Sequence, residues 1–443
     1  MPPVPTQRHN VAAVRIDFEW RQLHNLAAEL AELNIALVVL VADDYSALVP
    51  KLMDWCQTNQ VSSVFAHEAY EINERARDAA IRDGLRELGI GAQWFHDSCI
   101  IAPGRVLTGD GGFYTVFTPF KRNWLMQLAE HPVRLLPVPT KRTARAVMSS
   151  QLSEQAPGIT VPISDDLVQT LWPVGEVEAH ARLAQFIEED GGRYHECRDF
   201  PAINGTSTIA PYLAAGVISA RQCLYRAEQH KHHHAGRQGL DTWISELCWR
   251  DFYKHILVGF PHVCRHQAFK RGTDQLPWSR NEVHFQAWCE GRTGFPIVDA
   301  AMRQLNETGW MHNRLRMITA MFLTKDLFID WRLGERYFMQ HLIDGDLSAN
   351  NGGWQWSAST GNDAAPYFRI FNPFLQSKKC DPDGEFIRRF VPELAHLDAK
   401  RIHEPHAKGV DVLLKYPKPI VDHALARLDT LAYFKALNAA SAN

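Results

Sequence analysis

Redox chemistry without a metal is the first possibility raised by the residues of 309–360. GWMHNRLRMITAMFLTKDLFIDW is followed from residue 344 by DGDLSANNGGWQWSAST. Indole is the most easily oxidised neutral side chain, and residues 241–380 hold eight of the thirteen tryptophans: Trp243, Trp249, Trp278, Trp288, Trp310, Trp331, Trp354 and Trp356. A single Trp usually fills a core. Trp354 and Trp356 are two apart, so on a helix they point to different sides and need separate pockets. Asp344-Gly345-Asp346 with Ser348 and Asn350 opens like a calcium loop. That chemistry is excluded, because the sixth position is Ala349, where the turn needs Gly, and the twelfth is Gln355, where a bidentate Glu is needed. A helix cap is the plain alternative for these carboxylates.

Two further groups have the make-up of binding surfaces. Thr206-Ser207-Thr208, followed by Ile209 and Ala210, puts hydroxyls and backbone N–H groups together at the expected start of a helix. Such a start suits a phosphate, although an ordinary N-cap has the same composition. Tyr194 lies upstream and Trp243 downstream. Asn313 and Met317 are four apart and share a helix face, beside Arg314; core filling is the common fate of such a Met. Glu246, Trp249 and Arg250 fall within one helical stretch.

The elements that must carry these residues divide the chain in two. Residues 15–33 predict an amphipathic helix, 35–42 (IALVVLVA) a buried strand, 45–57 a helix, 61–66 a strand, 71–89 a helix and 92–97 a strand. Alternation of this kind predicts an α/β unit with a parallel sheet over 1–125. Residues 126–175 read as an interdomain linker, rich in Pro, Ser and Thr from 132 onward. Residues 176–443 carry helical periodicity and predict a large all-α domain. HKHHH at 230–234 reads as an exposed loop rather than a metal tract.

Bulk properties are those of an ordinary globular chain: 443 residues, 22% charged and 46% hydrophobic, with a formal net charge of −3. Residues 241–380 hold 16 Lys and Arg against 14 Asp and Glu, which permits a local basic face without demonstrating one. The eight cysteines are scattered with no Cys-x-x-Cys, so neither a zinc site nor a disulfide framework is expected. MPPVPTQRHN lacks the apolar core of a signal peptide, and no apolar run reaches membrane-spanning length. A cytoplasmic monomer is the expectation.

Longer motifs carry a resemblance. GRTGFPIVDAAMRQLNETGWMHNRLRM at 291–317 and DGDLSANNGGWQWSASTGNDAAPYFRIFNP at 344–373, with FTPFKRNW at 117–124 and YEINERARD at 70–78, resemble the cryptochrome/photolyase family. Within it they are closest to class I DNA photolyases for cyclobutane pyrimidine dimers. The resemblance runs from about His9 to about Leu431 and implies light-dependent repair by electron transfer from excited reduced FAD to a flipped-out dimer. A flavin photoreceptor without turnover and a flavin-free helical scaffold are the alternatives. The family's opening strand, turn, helix and second strand are not found, so the first βαβ unit is expected to be missing and the N-terminal domain destabilised.

The resemblance also assigns roles. Tyr194, Thr206, Ser207, Thr208, Ile209, Ala210, Trp243, Arg316, Asp344, Gly345 and Asp346 would hold FAD, with Asn350 against the flavin N5. Ala210 stands where the family usually has Ser. Trp354, Trp331 and Trp278 would form an electron chain to the surface. Glu246, Trp249, Arg250, Asn313, Arg314, Met317, Trp356 and Gln376 would line the lesion cavity. DNA would dock on Arg198, Arg250, Arg314 and Lys379. His9, Asn73, Glu74, Cys264 and Arg265 would touch a methenyltetrahydrofolate antenna. Asn350, where plant photoreceptors have Asp, together with Trp356 and the Asn313/Met317 pair, favours dimer repair.

Overall fold

A computed structural model describes residues 10–143, 149–154, 156, 158–233, 236–407 and 415–441. The chain opens with helix α1 (Ala13–Glu32). Its buried residues fall on two sides at four-residue spacing. Val14 and Phe18 enter the main core, while Ile16 and Trp20 pack with Ala156. Helix α2 (Tyr45–Thr58) starts at Asp44, whose carboxylate accepts the Ala47 N–H at 2.8 Å. Strand β1 (Ser63–His67), helix α3 (Ile72–Glu87) and strand β2 (Gly91–Phe95) form one parallel unit, in register from Ser63↔Gly91 to His67↔Phe95.

The strand expected at 35–42 is absent; among the described residues the sheet has two strands, not three. The run is not buried either: residues 35–40 are half-buried and Val41 is exposed. An apolar run does not say what its backbone bonds to, and here the backbone pairs with the connecting segment. Ser150 N–H donates to the Leu37 carbonyl at 2.9 Å. The Ser149 and Ser150 hydroxyls accept from Leu37 N–H and Val39 N–H at 3.2 and 3.0 Å. The β1–β2 ribbon leaves Phe65 and Phe95 exposed and stacked on each other at 6.3 Å.

Helix α4 (Phe117–Glu130) leads into an irregular stretch that ends at α5 (Asp165–Leu171). The helical part continues through α6 (Glu176–Gln185), α7 (Tyr194–Cys197), α8 (Ala210–Ala214), α9 (Ala220–His233) and α10 (Arg237–Gly259). The expected histidine loop is instead the last turn of α9 as far as His233; His234 lies outside the described residues. Next come α11 (Glu282–Cys289), α12 (Pro296–Thr308), α13 (Asn313–Met321), α14 (Trp331–His341) and α15 (Leu347–Ala358). Helices α16 (Pro373–Cys380), α17 (Glu385–Phe390) and α18 (His423–Ser441) complete the chain.

Helix α10 exposes Arg237, Gln238 and Asp241 in its first turns and is then buried on nearly every side from Leu247 to Leu257, as a helix entering a large core must be. Its Asp251 is fully buried and accepts from Ile100 N–H, Ile101 N–H and Trp124 Nε1–H, the last at 2.9 Å. One carboxylate thereby ties the loop after β2 and helix α4 to the helical domain. A second core gathers Trp288, Phe295, Trp331, Phe338 and Trp354.

Candidate functional site

Helix α10 sets the site's geometry. Trp243, Glu246, Arg250 and Lys254 follow one another at three- and four-residue steps and lie along one face. At its N-terminal end Trp243 donates Nε1–H to the Ser207 hydroxyl at 3.2 Å. Phe186 joins this wall, 5.5 Å from Trp243 and 5.8 Å from Tyr194 between ring centroids. Thr208 holds φ at +45°, a conformation that β-branched residues rarely adopt and that clusters at ligand sites. Arg182 donates to its hydroxyl at 2.7 Å. Ile209 is buried as the N-cap of α8, and Ala210 is exposed at that helix's start. The hydroxyl string therefore precedes a helix, as its composition predicted.

The Asp344–Asp346 loop carries a second group of polar side chains. Arg316 donates to both Asp344 oxygens at 3.0 and 2.8 Å and, through Nε, to the Met311 carbonyl. Asp346 caps α15 by accepting the Ala349 N–H at 3.1 Å. It also accepts from Lys254 Nζ at 2.9 Å. Burial disfavours the Asp346 charge, but Lys254 and Arg250 outweigh it and hold the carboxyl well below its usual range. Lys254, also penalised by burial, is kept charged by the same pair. The Gly345 carbonyl accepts from the Arg15 guanidinium of α1. On α15, Asn350 donates Nδ2–H to the Glu335 backbone carbonyl at 2.9 Å.

Trp354 is buried, its ring 4.9 Å from Phe338 and 6.0 Å from Trp288. Trp331, fully buried, starts α14 behind the Asp330 cap. Trp278 is only half-buried, against Phe328 at 4.8 Å. A bridge between Ser279 and Ile329 brings its segment beside the start of α14. None of the three indole N–H groups has a hydrogen-bond partner.

The expected lesion residues fall into two places. Glu246 accepts from Arg198 Nη1 at 2.5 Å, and Arg314 donates to Asp199 through Nε and Nη2 at 3.1 and 2.5 Å. Met317 Sδ lies 3.9 Å from Arg314 Nη1, with Asn313 exposed one turn back. Burial raises the Glu246 pKa against the opposing pull of Arg198. Trp249 stacks on Phe117 at 3.6 Å and 7°. Trp356 and Gln376 are half-buried, and Lys379 is exposed on α16. Arg250 donates to the Ser98 carbonyl and lines a cleft together with Lys254.

That cleft, about 760 Å³, is lined by Asn73, Glu74 and Cys264 of the expected antenna set and by Lys254 and Asp346. Arg265 is not among its lining residues. His9 lies outside the described residues. Lys254, Arg182 and Glu335 were missed from sequence; only Lys254 had a signal there, its helical spacing from Arg250.

A hydroxyl string with a strained Thr208 and the Arg316–Asp344 pair offer polar contacts, and buried His312 Nε2 and Trp354 Nε1 lack partners in the protein. These residues fit FAD. The family model for the FAD binding domain of DNA photolyase matches residues 243–436, and the DNA photolyase model matches 3–141. The chain is 48% identical over 433 residues to the deoxyribodipyrimidine photo-lyase of Escherichia coli, covering 97% of this chain and 90% of that one. It is 41% identical to the Neurospora crassa deoxyribodipyrimidine photo-lyase, covering 98% and 75%. The crystal structure of a bacterial class III photolyase from Agrobacterium tumefaciens superposes with a TM-score of 0.87 at 36% identity, covering 96% of this chain and 89% of that one. Fold, site and kinship agree: this chain belongs to the DNA photolyase family.

Proposed function

We propose that this chain repairs cyclobutane pyrimidine dimers in DNA under blue light, with FAD as its cofactor. One observation carries the reading. Trp243, which holds the hydroxyl string, and Glu246, the acid of the lesion wall, stand one turn apart on a single buried helix. Cofactor and damaged base are then held by one rigid element. Bound, reduced and excited by light, FAD supplies the electron that opens the cyclobutane ring.

The protein's share is binding, orientation and dryness. Ser207 and Thr208 receive the pyrophosphate, and Arg316–Asp344 and Asp346 hold the ring end. Asn350, its Nδ2–H engaged by the Glu335 carbonyl, would be the residue that meets the flavin N5. Arg198 and Arg314 meet DNA phosphates, which position the duplex without reading sequence. Glu246 donates or accepts at the dimer's polar edge, while Trp356, Met317 and Asn313 enclose its rings. Trp354, Trp331 and Trp278 would feed electrons inward to an oxidised cofactor; the first two are buried and Trp278, half-buried, is the member nearest solvent.

Residues 1–125, 126–175 and 176–443 serve as antenna domain, linker and catalytic domain. The cleft beside Asn73, Glu74 and Cys264 takes a folate antenna. We further infer a monomer acting in the cytoplasm; among the described residues no helix is long and apolar enough to cross a membrane. The deciding experiment follows dimer loss from a UV-irradiated oligonucleotide, in blue light and in darkness. Light-dependent loss is expected. Equal dimer content in both arms, with FAD bound and reduced, overturns the reading.

A further inference from the structure

Asn350 and Asn351 are adjacent on α15 and so leave the helix in different directions, yet both bond to one residue. Asn350 Nδ2–H reaches the Glu335 backbone carbonyl at 2.9 Å, and Asn351 Nδ2–H reaches the Glu335 carboxylate at 2.8 Å. The other carboxylate oxygen lies 3.3 Å from His266 Nδ1. Glu335 is 2% exposed, whereas the His266 side chain is 53% exposed and lines the cleft. Gln355 Nε2–H donates to Asn351 at 2.8 Å, and Phe269 N–H donates to Gln355 at 2.7 Å, so the Asn351 end is fixed from both sides.

We propose that Glu335 and His266 are positioning residues for the repair reaction: the pair sets the orientation of Asn350 and transmits the state of the cleft to it. The proposal rests on the flavin reading above. A carboxylate this buried needs a counter-charge, and the imidazolium of His266 supplies it. When His266 is neutral, Glu335 loses that partner, its hold on Asn351 changes, and the turn carrying Asn350 follows.

Arg332 and Arg336, on the helix of Glu335, oppose protonation of His266, but the hydrogen bond to Glu335 prevails and raises its pKa. Arg265 precedes it in the chain. Glu71 and Glu74 line the same cleft, and Lys254 and Asp346 there are matched to each other. The pair is therefore joined below the His266 pKa, which Glu335 raises, and parts as pH rises through it.

Two measurements test this on the full chain, with H266N and E335Q beside the parent. The first is the His266 ring titration by NMR, which needs no cofactor. E335Q should lower the proton affinity several-fold. An unchanged titration overturns the pairing. The second is the Asn350 amide band in the infrared difference spectrum on flavin reduction, at pH 6 and pH 9. The band should shift with pH in the parent and stand still in both variants. Identical behaviour in all three, in protein that still repairs dimers, overturns the relay and leaves the repair reading intact. A shift confined to the parent, in protein that does not repair, supports the relay and defeats that reading.

Discussion

Gly334 of α14 lies flat against the indole of Trp354: a Cβ built on Gly334 would stand 2.1 Å from Cη2. The glycine is helical, so it pays a propensity cost and is retained because no side chain fits beneath the ring. Gly334→Ala must displace Trp354 or open the α14–α15 packing. We expect a loss of about 1–3 kcal/mol, typical of overpacking, measured by denaturant unfolding. Photoreduction of bound FAD should also slow. A variant as stable as the parent with unchanged photoreduction would contradict this placement.

Trp354→Phe should abolish photoreduction of oxidised FAD while leaving repair intact once FAD is reduced chemically. The two assays separate electron supply from repair. Loss of repair with prereduced cofactor would show that Trp354 does more than supply electrons.

Glu246→Ala should lower the repair yield per absorbed photon about tenfold, the scale of one hydrogen bond to a charged group. FAD content should not change, since Glu246 bonds to Arg198 and not to Trp243 or Ser207. Normal yield in this variant would return Glu246 to a structural role.

Lys325 gives a prediction about pH. It is fully buried, bonded to the Ala358 carbonyl and Ser359 hydroxyl at 3.2 and 2.9 Å, with no carboxylate among those partners. Burial, with a smaller push from Lys270, lowers its pKa from 10.5 to about 7. Between those values the unfolded chain binds the extra proton, so stability rises with pH across that window. The gain is on the order of 2–4 kcal/mol. Lys325→Met should flatten that rise in unfolding experiments at pH 7 and pH 10. A slope unchanged by the substitution would place the titration elsewhere.

Local features were the legible part. Asp346 as a helix cap and Thr206–Thr208 ahead of a helix could be read from sequence because both depend on neighbouring residues alone. Three kinds of feature could not. IALVVLVA at 35–42 read as a buried strand, yet it is half-exposed, and nothing local shows that Ser149 and Ser150, more than a hundred residues on, take the Leu37 and Val39 N–H groups. Lys325, Asp251 and Glu335 look like surface residues until distant helices close over them. Arg250 lines the cleft with Lys254, a neighbourhood that no local pattern in the sequence showed. Direction along a helix is readable; which neighbour a face meets depends on tertiary packing.

Helix α10 also acts as a ruler. Trp243 to Lys254 spans about 16 Å at the standard rise, and every contact along that line shares one axis. Sliding or rotating the axis would displace the pyrophosphate seat, the lesion acid and the cleft cation together, so no one of the three can be retuned alone. Independent adjustment would require a break between Trp243 and Glu246, and a kink there would sever the fixed distance between cofactor and damaged base on which a short electron jump depends.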